Sequence, residues 1–69
     1  MNVPRVIANG RELEAPLPCT IAQFLRAQSF LPQSVVVEHN GEAVAPSEFE
    51  ARPLAEGDRL EIVRIVGGG

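Results

Sequence analysis

Four features of this chain could do chemistry: a lone thiol at Cys19, a lone imidazole at His39, scattered carboxylates, and the glycine run Gly67-Gly68-Gly69. A single Cys can make neither an internal disulfide nor a CxxC metal or redox site. Cys19 stands near a helix start, where a thiol pKa can fall, yet a small apolar filler is the simpler reading. His39 lies beside Asn40-Gly41 with no nucleophile near it in sequence, and reads as a solvated turn residue rather than a general base. The pairs Glu12/Glu14, Glu48/Glu50 and Asp58/Glu61 read as solvated surface, with nothing to mark an acid/base couple. No Gly-rich phosphate loop followed by Lys occurs: the chain has no Lys, its basic residues being Arg5, Arg11, Arg26, Arg52, Arg59 and Arg64. The glycines remain. Residues without side chains cannot pack and lose the most entropy if ordered, so as a fold device three in a row make no sense. They are a frayed end or an added segment, or else a slender strand whose terminal carboxylate can enter a partner's narrow channel with no Cβ in the way.

The scaffold for such a tail must be small. At 69 residues the chain is one domain. A domain of about 60 residues buries roughly 60% of the surface its unfolded chain exposes, which leaves little room for both a core and a deep pocket. Any chemistry therefore calls for a partner that supplies the pocket. A net charge of −3 and a pI near 4.9 leave no basic patch for nucleic acid. Apolar runs such as Val35-Val36-Val37 fall far short of the ~20 residues of a membrane span, and no signal segment opens the chain. The default expectation is a soluble cytoplasmic protein.

The elements follow from periodicity and turn chemistry. Val3 to Ala8 and Arg11 to Ala15 flank Asn9-Gly10, the strongest short hairpin signal, because a type I′ turn needs φ > 0 at both central residues. Pro16 and Pro18 stop the second strand. Ile21, Phe24 and Leu25 then share one helical face, Thr20 and Gln23 form a capping box, and Cys19 and Phe24 stand at the staple positions. Pro32 keeps this helix from running on. Gln33 to Glu38 is a strand by its branching, His39-Asn40-Gly41 turns into the short segment Glu42-Ala43-Val44, and Pro46 to Glu50 is a helical turn. After a turn at Leu54 to Asp58, the last strand runs from Arg59 to Val66. It alternates at first, then becomes apolar on both faces through Val63, Ile65 and Val66, as a covered central strand or an exposed patch awaiting a partner would. An α+β domain with one helix on one sheet face is the economical packing, and a β-grasp with the first and last strands side by side in the middle fits best.

In this order and length the segments resemble a known family: the opening strand into Asn9-Gly10-Arg11-Glu12, the helix start Cys19 to Leu25, Val35 to Glu50, and Leu54 to Gly69 with its Gly57-Asp58 turn and terminal glycines. The sequence resembles the ThiS-type sulfur carrier proteins of thiamine biosynthesis, which are ubiquitin-like. The resemblance implies a β-grasp domain over residues 1–66, with a mixed sheet of four to five strands on one main helix, and a flexible glycine tail over residues 67–69. It implies a protein cosubstrate rather than an enzyme. The Gly69 carboxylate is adenylated by an E1-like, ThiF-type partner, converted to a thiocarboxylate, and used to deliver sulfur to a ThiG-type thiazole synthase, with a cysteine desulfurase as one possible donor. ATP and Mg²⁺ belong to the adenylating partner, and this chain binds no cofactor or metal. Gly67, Gly68, Val63, Arg64, Ile65 and Val66 are expected to meet partners, the last four as an apolar docking patch with Arg64 giving orientation. Residue by residue, core of a central strand is the equal alternative for the apolar ones.

Three rivals stay open at this stage. The small subunit of molybdopterin synthase shares the di-glycine end and differs in its acceptor. A β-grasp binding module without a covalent role would make the glycines incidental, and a ubiquitin-like tag would be joined to lysines of its targets.

Overall fold

The structure, a computed structural model, describes residues 3–65. Strands β1 (Arg5–Ala8) and β2 (Arg11–Glu14) form the expected hairpin, and Asn9 and Gly10 take φ of 52° and 80°, as a type I′ turn requires. Strands β4 (Val35–His39) and β5 (Glu42–Val44) repeat the device, with Asn40 and Gly41 at 53° and 84°. The last strand, β7 (Arg59–Arg64), lies between them, parallel to β1 and antiparallel to β4. The resulting five-stranded order, β2-β1-β7-β4-β5, puts the first and last strands side by side in the middle, which is the β-grasp arrangement.

Helix α1 (Ile21–Ala27) covers one face of this sheet. Its capping box is formed: the Gln23 N–H donates to Thr20 Oγ1 at 3.2 Å and the Thr20 N–H donates to Gln23 Oε1 at 2.8 Å. Ile21, Ala22, Phe24 and Leu25 point inward and meet Val6, Val35, Val37, Leu60 and Ile62 from the sheet, with Cys19, Phe49 and Leu54 closing the core. Full burial of each large side chain is worth roughly 1.5–3 kcal/mol, so this one layer carries most of the fold's hydrophobic stabilisation.

The helix ends before Pro32, as expected. It stops at Ala27 in a Schellman closure, in which the Phe30 N–H donates to the Leu25 carbonyl at 2.8 Å, the Ser29 N–H to that of Arg26 at 3.0 Å, and Ser29 takes the left-handed φ of 66°. Pro32 opens a 3₁₀ turn, Pro32–Ser34, that leads into β4. The structure also has a small antiparallel pair absent from the sequence reading, β3 (Cys19–Thr20) with β6 (Pro53–Leu54). The expected turn after β5 is present as a second 3₁₀ segment, Pro46–Glu48.

Candidate functional site

β7 is the last described element before the glycines in sequence. On the β1 side the strand is held by backbone bonds, the Ile7 N–H donating to the Asp58 carbonyl at 2.8 Å and the Asn9 N–H to that of Leu60 at 2.9 Å. One step further the Asn9 side chain acts as a short piece of strand. Its Nδ2 donates to the Ile62 carbonyl at 3.0 Å and its Oδ1 accepts from the Ile62 N–H at 2.7 Å. On the other side β4 pairs residue for residue up to Val35 against Arg64, and the Ile65 N–H donates to the Ser34 carbonyl at 2.8 Å.

Strand alternation then sorts the side chains. Leu60 and Ile62 face the helix and are buried, whereas Val63 faces outward and is 61% exposed; Ile65, just past the strand, is 56% exposed. Val36, directly opposite Val63 on β4, is 53% exposed on the same outer face. Val36 and Val63 form an apolar pair that no described element covers, with the exposed Ile65 two residues further along, so Val63 and Ile65 are surface and not core. Arg64 does not join them. Alternation sends it to the helix side, where its guanidinium carbon lies 5.1 Å from the centre of the Phe30 ring. The single patch of Val63, Arg64, Ile65 and Val66 read from the sequence is therefore divided between two faces. Val66, Gly67, Gly68 and Gly69 lie outside the described residues.

The other candidate chemistries resolve differently. Cys19 is buried, and desolvation pushes its thiol above the ordinary value, which disfavours the reactive thiolate. His39 is not a solvated turn residue. It is buried, with 7% of its surface exposed. Its Nδ1 accepts from Arg52 Nε at 3.1 Å, and a guanidinium can only donate, so Nε2 carries the proton and donates to Asp58 Oδ2 at 2.7 Å. Arg52 is also paired with Glu42 and Glu48, and the Glu42 contact holds the Glu42 carboxyl below the carboxylate range and raises the guanidinium. Asp58 likewise leaves the solvated-surface class. Burial pushes its carboxyl up, but hydrogen bonds from His39, the Ala55 N–H and Asn40 outweigh that and hold it below its ordinary value. The sequence carried a signal for His39: the alternation that buries Val35 and Val37 places it on the same face two residues on. This cluster ties β4, β5 and the turn before β7 together at the end of the sheet away from Ile65. Among the described residues no group of three or more His, Cys, Asp or Glu could hold a metal ion, and no helix is long and apolar enough to cross a membrane.

What remains as a candidate functional site is the β7 end, next in sequence to the glycines. The ThiS family model matches residues 2–69, a span that includes those terminal glycines. The chain belongs to the ThiS family. Its likeness to solved members is close: the crystal structure of the thiamine biosynthesis protein ThiS from Geobacter metallireducens superposes with a TM-score of 0.79 at 26% identity, covering 94% of this chain and 99% of that one. Two thiazole synthases, from Magnetococcus marinus and Paramagnetospirillum magneticum, are each 32% identical to it over 65 residues. That stretch is 94% of this chain and 20% of each relative, so the chain spans about a fifth of the length of these curated relatives.

Proposed function

We propose that this ThiS-family chain is a sulfur carrier of thiamine biosynthesis, a cosubstrate on which partner enzymes act. An E1-like, ThiF-type adenylyltransferase joins the Gly69 carboxylate to the AMP of ATP, releasing pyrophosphate, with Mg²⁺ held by that enzyme. A carboxylate is a poor acyl donor because its oxygen leaves badly, and the mixed anhydride supplies AMP as a good leaving group. The outer sulfur of a persulfide, carried by a donor such as a cysteine desulfurase, then displaces AMP to give an acyl disulfide, and a thiol reductant cleaves its S–S bond, leaving a thiocarboxylate that a ThiG-type thiazole synthase consumes. Residues 67–69 serve as a narrow tail: Gly67 and Gly68, with Val66 before them, enter the partner's channel, and a side chain at any of the glycines would obstruct it.

The observation that carries this reading is the family match, which extends through the glycines. Two structural features support it. The buried, thiolate-disfavouring setting of Cys19 leaves the tail as the place for sulfur, and Val36, Val63 and Ile65 give a partner an apolar surface beside it. Thiazole synthase is favoured as the acceptor because two polypeptides of that name contain a stretch similar to nearly all of this chain. The test is a competition of acceptors. The thiocarboxylated chain is offered to thiazole synthase with its other substrates and, separately, to the large subunit of molybdopterin synthase. Loss of the carrier's sulfur to the first alone is the expected result, and loss to the second alone would reassign the pathway.

A further inference from the structure

We infer that Phe30 is a positioning residue for the C-terminal segment: through the stack of Arg64 on its ring it holds the end of β7 against the α1–β4 connection and fixes the direction in which the chain leaves the domain. The inference rests on the carrier reading above and adds what aims the tail.

Strand β7 is gripped from both sides only as far as Ile62, because on the β1 side Asn9 is the last group to pair and the chain turns away at Gly10. By residue 65 the other neighbour has ended as well, and the Ile65 N–H reaches Ser34 in the 3₁₀ turn before β4. Arg64 sits between these two points. Its guanidinium, 5.1 Å from the Phe30 centroid, is inside the ~6 Å range of a cation–π contact. Among the described ion pairs it has no carboxylate partner, so the ring is its described attachment. The ring is itself fixed. Phe30 is the residue that closes the Schellman motif on Leu25, and it packs half-buried against the core. Both attachments at the end of β7 thus go to one short segment, residues 29–34. Ser29, Leu31, Ser34, Val35, Arg64 and Ile65 line one shallow groove there.

The consequence is geometric. Four residues follow Ile65, so Gly69 can lie at most about 14 Å from it, and the place where β7 ends sets that whole reach relative to the Val36–Val63 surface. An enzyme acting on the terminal carboxylate is sensitive to such a setting, since a misplacement of ~1 Å can cost ~100-fold in rate.

Three variants test this. Phe30→Leu removes the ring and keeps an apolar filler, Arg64→Met removes the charge and keeps the stem, and Phe30→Tyr keeps the ring. The first readout needs no partner: amide hydrogen exchange at Ile65 should quicken at least about five-fold in Phe30→Leu and Arg64→Met and stay at the wild-type rate in Phe30→Tyr. Unchanged exchange in Arg64→Met, whose exposed position leaves the core intact, overturns the inference. The second readout is pyrophosphate exchange by the adenylating partner. The kcat should fall about ten-fold in both disruptive variants with KM held within about two-fold, and Phe30→Tyr should restore it. A raised KM in Arg64→Met, with Phe30→Leu behaving as wild type, would mean that Arg64 touches the partner directly and would overturn the inference. If the wild-type chain supports no exchange with an enzyme that adenylates another carrier, the carrier reading fails, and the amide measurement alone decides the role of Phe30.

Discussion

Protonating Asp58 removes an acceptor that serves three donors at once: His39 Nε2 at 2.7 Å, the Ala55 N–H at 2.9 Å and Asn40 Nδ2 at 3.2 Å. Its folded pKa is depressed, so its contribution to stability is fully present above the unfolded value of about 3.9 and is lost as pH falls through the folded value. Asp58→Asn should cost about 1–3 kcal/mol at neutral pH, because an amide leaves one of these donors unmatched. Its stability, measured by urea unfolding, should then decline less steeply than the wild type's below about pH 4. Cys19 makes a second prediction. With its thiol buried and shifted upward, iodoacetamide should alkylate the native protein at least about 100-fold more slowly than the urea-unfolded chain. At this scale the chain alone could be read only in part: the filler role of Cys19 follows from the helix start beside it, whereas His39 reads as a turn residue beside Asn40-Gly41 although the alternation within β4 signals its burial. The Asp58 contact was not legible, because it joins residues 19 positions apart and exists only once β4 and β7 are neighbours.

Among the elements, those defined by local chemistry were readable and those defined by tertiary contact were not. Both Asn-Gly hairpins and the capping box lie within a few residues of sequence, and each is where the residue types demand it. Strands β3 and β6 are two residues long, and one of them contains Pro53. Neither has a pattern of its own, and they pair because α1 and the loop after β5 bring them together. The Asn9 side chain, acting as a rung of the β1–β7 ladder, is the same case: the turn was visible, and the rung depended on which strand lay beside it. The helix stops short of Pro32 as expected, and a serine holds the left-handed position usually given to glycine. That substitution leaves stability unused. Ser29→Gly should relieve a backbone cost of roughly 1–2 kcal/mol, offset in part by the greater entropy of glycine in the unfolded chain. A net gain of up to about 1 kcal/mol, seen as a rise in thermal midpoint of a few degrees, is the expected outcome.

For the whole molecule, the sheet has one face under α1 and one face that no described element covers, and that face is apolar near the end of β7. The sequence left Val63 and Ile65 equally compatible with core and surface, since an apolar run of both parities suits either. What decides between them is that, among the described residues, no element packs on the outer face, a property of the assembled domain. Val63→Asp should therefore leave folding intact, with a thermal midpoint within a few degrees of wild type, while weakening binding to the adenylating partner by about ten-fold or more. Leu60→Asp, three residues earlier on the buried face, should prevent folding. These outcomes locate the docking surface, whereas the chemistry itself is tested at the tail. The most direct measurement is the intact mass of the chain after incubation with Mg-ATP, a sulfur source and the adenylating partner, beside a chain lacking Gly69. The account predicts a mass gain of one sulfur in place of one oxygen, absent without Gly69. An unchanged mass, with a partner shown to load another carrier under the same conditions, would contradict it.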